Sequence, residues 1–162
     1  IFVYTGGEQQ VPRDIRRAKI DESVDTILAR AFYECQELIE VEGHNKLKKI
    51  EEGAFFRCPR LRRLMKMNGV IEIEGEAFNN CQALSDVDFD KLEIIGYRAF
   101  GHCKSLRYII LLSIRRAGAY AFDGCTALTE AVFGEGLERI AVFAFNQCYV
   151  LRRIAIPLKD NL

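Results

Sequence analysis

The chain repeats one short phrase six times, and that repetition limits its fold more than any other feature. An Ala-Phe pair, two further residues, a Cys, two more and a Leu recur at Ala31-Phe32 to Leu38, Ala54-Phe55 to Leu61, Ala77-Phe78 to Leu84, Ala99-Phe100 to Leu106, Ala121-Phe122 to Leu128 and Ala144-Phe145 to Leu151. The six cysteines, Cys35, Cys58, Cys81, Cys103, Cys125 and Cys148, all lie inside it, at intervals of 23, 23, 22, 22 and 23 residues. A near-constant period in this range is the signature of a solenoid whose coils touch mainly their neighbours.

Each unit, written from Leu to Leu, divides into parts. Three residues after the Leu stands a small or branched apolar residue (Val41, Leu64, Val87, Ile109, Ala131, Ile154), commonly with another two further on (Phe89, Leu111, Phe133, Ile156). Period-two alternation predicts a strand, and equal phases stack these strands into a parallel sheet. A second apolar pair follows at a spacing of three, as in Leu47 and Ile50 or Val70 and Ile73. The Ala, Phe and Cys of the phrase, at offsets of one and three, fit a single helical or 3₁₀ turn opposite the strand, with the Phe in the core. The expected fold is a repeat solenoid: a right-handed parallel β-sheet stack with short helical or 3₁₀ turns on the opposite side. Seven strand starts from Ile15 to Leu151 make a rod on the order of 30 Å long.

Residues 1–162 read as one domain. Residues 1–14 lie outside the repeat, and Phe2-Val3-Tyr4, Gly6-Gly7 and Gln9-Gln10-Val11 read as a capping hairpin over the first coil. Residues 15–30 form a half repeat that lacks the phrase, residues 31–156 carry the repeats, and residues 157–162 are the C-terminal end. Lys66 falls where Phe89, Leu111 and Phe133 point inward, and a bulge there would turn a flanking Met inward in its stead.

With the unit written out, the chain resembles the BspA-like leucine-rich repeats, whose consensus couples an Ile, an Ala-Phe pair, a Cys and a Leu in about 23 residues. The resemblance covers residues 15–156. It implies a curved solenoid used as an interaction surface, found in bacterial surface adhesins among others, and brings no catalytic residues.

Identical coil phase keeps the six cysteine side chains parallel, whereas a disulfide needs two Cβ atoms turned toward each other; six free structural thiols are expected. No C-x-x-C occurs, and His44 and His102 are the only histidines, so neither a metal nor another cofactor is expected. Cys103 is a ladder residue by phase, which argues against a Cys103–His102 nucleophile, and no phosphate loop or hydrolase motif occurs. The reading is not an enzyme. Lys and Arg number 23, as do Asp and Glu, so no net field draws nucleic acid. The longest apolar run, Tyr108 to Leu112, is far short of the roughly 18 residues of a membrane helix. No charged n-region and apolar h-region opens the sequence, and no compartment is read from it.

Function is therefore sought on the outward strand positions. Read coil by coil these are Arg17, Lys19, Asp21; Glu40, Glu42, His44; Arg63, Met65, Met67; Asp86, Asp88, Asp90; Tyr108, Ile110, Leu112; Glu130, Val132, Gly134; Arg153, Ala155, Pro157. The first four sets alternate in sign, with Arg17–Glu40, Lys19–Glu42 and Arg63 between Glu40 and Asp86 able to pair. Asp86, Asp88 and Asp90 spread over some 13 Å, too wide for one Ca²⁺. The later sets are apolar, and a solvated sheet face normally is not. The candidate binding residues are Arg63, Met65, Met67, Tyr108, Ile110, Leu112, Val132 and Arg153. The function expected is a protein–protein interaction module. The partner is a protein or a second copy, with a glycan as another class; the alternative is a spacer or surface adhesin segment of a larger assembly.

Overall fold

A computed structural model describes residues 1–157. The chain winds as a parallel β-solenoid whose coils carry strands on a front and a back side, with one coil lacking its front strand. On the front lie β1 (Phe2–Tyr4), β2 (Arg17–Ile20), β4 (Glu40–Glu42), β6 (Arg63–Met65), β9 (Tyr108–Leu111), β11 (Glu130–Phe133) and β13 (Arg153–Ala155). On the back lie the two-residue strands β3 (Thr26–Ile27), β5 (Lys49–Ile50), β7 (Glu72–Ile73), β8 (Ile94–Ile95), β10 (Arg116–Ala117) and β12 (Arg139–Ile140). All pairing is parallel and in register, for example Val41 beside Leu64 in front and Ile50 beside Ile73 behind. Because β hydrogen bonds set the coil-to-coil rise on both sides, neither face is forced into strong concavity.

The back sheet comes from the apolar pairs spaced by three. Its inward residues Ile27, Ile50, Ile73, Ile95 and Ala117 are buried and its outward ones are mostly charged.

The turn carrying the Ala-Phe-Cys phrase is not a helix. Residues just before the Ala and just before the Cys have positive φ: Arg30 and Glu34, Gly53 and Arg57, Glu76 and Asn80, Arg98 and His102, Tyr120 and Gly124, Phe143 and Gln147. Left-handed residues recurring every four or so positions stop helical propagation and leave successive turns closed by bonds such as Cys35 N–H to Phe32 C=O and Leu38 N–H to Cys35 C=O. A side chain in this region carries a cost of order 1 kcal/mol. It is offset because the same residues donate to the next coil: Glu34 to Phe56 O at 2.8 Å, Asn80 to Gly101 O at 2.8 Å, Arg98 to Ala119 O at 3.1 Å.

Inside, the rings of Phe32, Phe55, Phe78, Phe100, Phe122 and Phe145 stack with centroids 4.9–5.5 Å apart. Tyr4 tops the column at 5.3 Å from Phe32. Each later cysteine donates its thiol to the Phe carbonyl of the preceding coil, from Cys58 to Phe32 O at 3.0 Å through Cys148 to Phe122 O at 3.1 Å. Cysteine thus satisfies a buried acceptor while packing as a small apolar residue. Burial pushes the thiol pKa up, to about 11 at Cys35 and strongly at Cys103.

Residues 1–14 are not a hairpin. β1 runs parallel to β2, Phe2 beside Ala18 and Tyr4 beside Ile20, and Val11 is buried near the turn column without forming a strand. The segment imitates a shortened coil because parallel pairing continues the stack, whereas a hairpin would have ended it with an antiparallel edge.

The front sheet is also interrupted where alternation predicts a strand. Asp86-Val87-Asp88-Phe89 contributes a single bridge, Arg63 with Asp86, and the front divides into a four-stranded and a three-stranded sheet. Backbone bonds pass from Ile39 to Arg16, Arg62 to Ile39 and Ser85 to Arg62, and again from Thr129 to Arg107 and Arg152 to Thr129. Among the described residues the bond from Arg107 to Ser85 is the missing step in that series. Phe89 still packs edge-on to Phe100 at 6.2 Å, so the core is continuous behind the gap. Three aspartates on one short segment have poor strand propensity and repel one another.

Candidate functional site

The site is built by β9 and β11. In β9, Ile109 and Leu111 fill the core, which sends Tyr108 and Ile110 outward, and Leu112 follows them onto the same face. They are 61%, 52% and 58% exposed, while the corresponding positions two coils earlier are charged or thioether. In β11, Ala131 and Phe133 are inward, and Val132 stands beside Ile110 in the parallel register. Gly134 ends the row without an outward side chain: it is buried, and a Cβ there would lie 1.9 Å from the Leu112 carbonyl oxygen, so the two coils approach closely at this point. Arg153 on β13 closes the block, its guanidinium 2.7 Å from Glu130.

The structure brings together Tyr108, Ile110, Leu112, Val132 and Arg153. Arg63 and Met65 lie on β6, on the far side of the aspartate segment and so about 10 Å away across two coil steps. Arg63 reaches Glu40 at 3.9 Å and does not pair with Asp86. Met67 does not belong to the face at all. Lys66 has φ 56°, a left-handed bulge that turns Met67 into the core at 1% exposure. There it fills the room above Gly43, whose added Cβ would stand 3.0 Å from the Met67 sulfur.

The charged half of the face is largely self-paired. Arg17 holds Glu40 at 3.2 Å, and Glu42 is held by Lys66 instead of Lys19, because the bulge carries the Lys66 ammonium outward over the strand. That hydrogen bond lowers the Glu42 pKa below the ordinary carboxylate value. Along the edge of the face Arg62, Lys104, Arg107 and Arg152 are exposed and, among the described residues, outside every ion pair. Among those residues no group of three His, Cys, Asp or Glu side chains converges to hold a metal ion, and no helix is long and apolar enough to cross a membrane.

A second apolar area was missed by reasoning confined to the strands. At the corner between back sheet and turn, the acidic Glu51, Glu52, Glu74 and Glu76 give way to Tyr97, Tyr120, Val142 and Phe143. The Arg98 guanidinium lies 5.1 Å and 5.2 Å from the Tyr97 and Tyr120 ring centroids. Comparison of the residues just before each Ala, coil by coil, would have revealed it. Ile154, inward by phase, is exposed because no described coil follows it.

The repeat, the stacked Phe column and the paired parallel ladders define a leucine-rich-repeat solenoid. The BspA type leucine rich repeat region matches in 6 copies over residues 12–113 and 66–161, and the chain belongs to that family. A crystal structure of a T. pallidum leucine rich repeat protein, TpLRR, superposes with a TM-score of 0.82 at 27% identity, covering 89% of this chain and 70% of that one. A leucine rich cell surface protein of Faecalibacterium prausnitzii gives a TM-score of 0.63 at 21% identity, over 94% of this chain and 48% of that one. A leucine-rich repeat protein of Bacteroides ovatus gives 0.57 at 24% identity, over 83% and 41%. This chain thus spans less than half the length of the last two. No curated protein matches it.

Proposed function

We propose that the protein is a non-catalytic interaction module whose open front sheet docks a macromolecular partner at Tyr108, Ile110, Leu112 and Val132. The observation that carries this reading is three large apolar side chains, each more than half exposed, on consecutive outward positions of one rung. Rigid parallel strands fix their spacing, and a Tyr beside aliphatic residues with an Arg at the rim is an anchor composition common at interfaces. A spacer role needs no such patch.

The test is capture from an extract of the source cells by immobilised wild type, Ile110→Glu and Ile94→Glu, the last a matched charge on the exposed back strand β8. Proteins retained by wild type and by Ile94→Glu are expected to be lost with Ile110→Glu. Equal retention by all three contradicts the reading.

A further inference from the structure

We propose that a linear acidic polysaccharide, carrying one carboxylate on every second sugar, binds along the edge where the turns run into the front sheet. This edge lies beside the apolar block, and the inference stands apart from the reading of Tyr108, Ile110, Leu112 and Val132.

The row follows from the repeat. The residue after each inward Leu, or after Ile15 in the half repeat, is sent outward; these are Arg16, Arg62, Arg107 and Arg152 at alternate coils, with Ile39, Ser85 and Thr129 between. Backbone bonds join most neighbours in the row directly. Ile39 N–H donates to Arg16 O and Arg62 N–H to Ile39 O, both at 2.8 Å, and Thr129 N–H to Arg107 O at 2.7 Å and Arg152 N–H to Thr129 O at 2.9 Å. The rise is therefore that of a β ladder, and one arginine recurs about every 10 Å with an uncharged residue between.

All four arginines are exposed, and among the described residues none is in an ion pair. The acids beside them are mostly held by other cations. In the adjoining front column Glu40 lies 3.2 Å from Arg17 and 3.9 Å from Arg63, and Glu130 lies 2.7 Å from Arg153. On the turn side Arg60 holds Glu37 at 2.7 Å. Among the described residues of these columns, Asp14 near Arg16 and Asp86 at the level between Arg62 and Arg107 stay unpaired. The attraction is thus strongest from Arg107 to Arg152, where Lys104 adds to it.

The spacing selects the ligand. An extended disaccharide advances by close to two coil steps, so a polymer with one uronate per disaccharide offers one carboxylate to each arginine. Guanidinium takes a carboxylate bidentately, and the long arginine arms follow the twist of the chain. A nucleic acid, with a phosphate about every 3.4 Å along a duplex strand, overfills the row. A peptide added as a strand binds through main-chain hydrogen bonds, and here Arg16, Ile39, Arg107 and Thr129 already give their carbonyls to the next coil. Tyr149, 75% exposed, lines an open recess with Thr129 and Arg152, where the flat face of a sugar ring can lie against it.

Fluorescence anisotropy of end-labelled hyaluronan oligosaccharides, whose glucuronates alternate with neutral N-acetylglucosamine, tests the row at low ionic strength. Affinity is expected to rise from tetrasaccharide through hexasaccharide to octasaccharide as more carboxylates meet arginines, and to fall with salt. Arg107→Gln and Arg152→Gln should each weaken the octasaccharide about threefold, and the two combined with Arg62→Gln roughly tenfold or more. Asp86→Asn should tighten binding, and Arg139→Gln, a matched loss of charge on the exposed back strand β12, should leave it unchanged. Should the triple variant fail to fold, the length series and Asp86→Asn still decide. Absence of wild-type binding at millimolar oligosaccharide overturns the proposal, as does a loss with Arg139→Gln equal to that with Arg107→Gln. Tetragalacturonate carries the same four carboxylates on adjacent sugars, and equal affinity for it contradicts the spacing. Tighter binding of a peptide with a glutamate at every third residue would make the occupant an acidic protein and overturn the glycan.

Discussion

Phe100→Ala is expected to destabilise the protein by about 3 to 5 kcal/mol. Phe100 is fully buried, stacks on Phe78 at 5.4 Å and on Phe122 at 5.5 Å, and takes Phe89 edge-on at 6.2 Å. Truncation removes the ring's transfer free energy and leaves a void that its neighbours fill poorly, because their backbones are tied coil to coil: Phe78 N–H donates to Ala99 O and Phe100 N–H to Ala121 O, both at 2.8 Å. The position has a further weight. On the front the ladder is already broken between Ser85 and Arg107, so at this level the stack is joined by the Phe column, the turn bonds and the back sheet. In a one-dimensional array the loss of an interface term loosens adjacent coils together. Thermal unfolding should drop by on the order of 6 to 20 °C for a chain of this size. Hydrogen exchange should rise across residues 78–122. A melting temperature within one degree of wild type would mean that the column does not hold the coils together.

Gly134→Ala is the second large effect. The added methyl would meet the backbone oxygen of Leu112 at 1.9 Å, and a backbone atom cannot rotate away as a side chain can. Either Leu112 or the segment after β11 must shift, separating two coils at the rim of the candidate site. The expected cost is about 1 to 3 kcal/mol, together with weakened binding at the face, since Leu112 is displaced from its place in the row. Gly136→Ala is the internal control: a Cβ there meets nothing within 4 Å, and its effect should stay within about 0.5 kcal/mol. Equal melting temperatures for the two variants would contradict the packing described at Gly134.

How much of this was legible follows from where each residue's signal lies. Phe32 to Phe145 and Cys35 to Cys148 hold one phase through six coils, so the core column and the stack could be read directly. The bulge at Lys66 was legible too, as a charge at an inward position, but its consequence for Met67 was not carried through: the bulge that buries one Met removes it from the face. The back sheet was hidden because a two-residue strand such as Lys49-Ile50 has no alternation to detect. Of the helical or 3₁₀ turn expected there, the three-residue bonds are present and the helix is not, because the left-handed positions carry Arg30, Glu34, Asn80 or His102 where a glycine would have announced the conformation. Asp86-Val87-Asp88-Phe89 alternates perfectly and still does not pair along its length, since alternation reports which face is buried and not whether neighbouring backbones can close a ladder. Outward residues carry no folding constraint, and only the switch from charge to Tyr108, Ile110 and Leu112 marked the candidate site. The parallel switch to Tyr97, Tyr120 and Phe143 at the turn corner was as visible and was overlooked because it lies off the strands.

Hydroxyl-radical footprinting of the tyrosines, compared between dilute and associated protein, measures most directly whether the front face is the one in use. Tyr108 reports that face, Tyr97 the corner and Tyr149 the last coil, and all three are exposed in the isolated chain. Association through the front sheet predicts that Tyr108 loses most of its reactivity while Tyr97 and Tyr149 keep theirs. Protection of Tyr149 with Tyr108 unchanged would place the contact at the end of the stack and contradict the account.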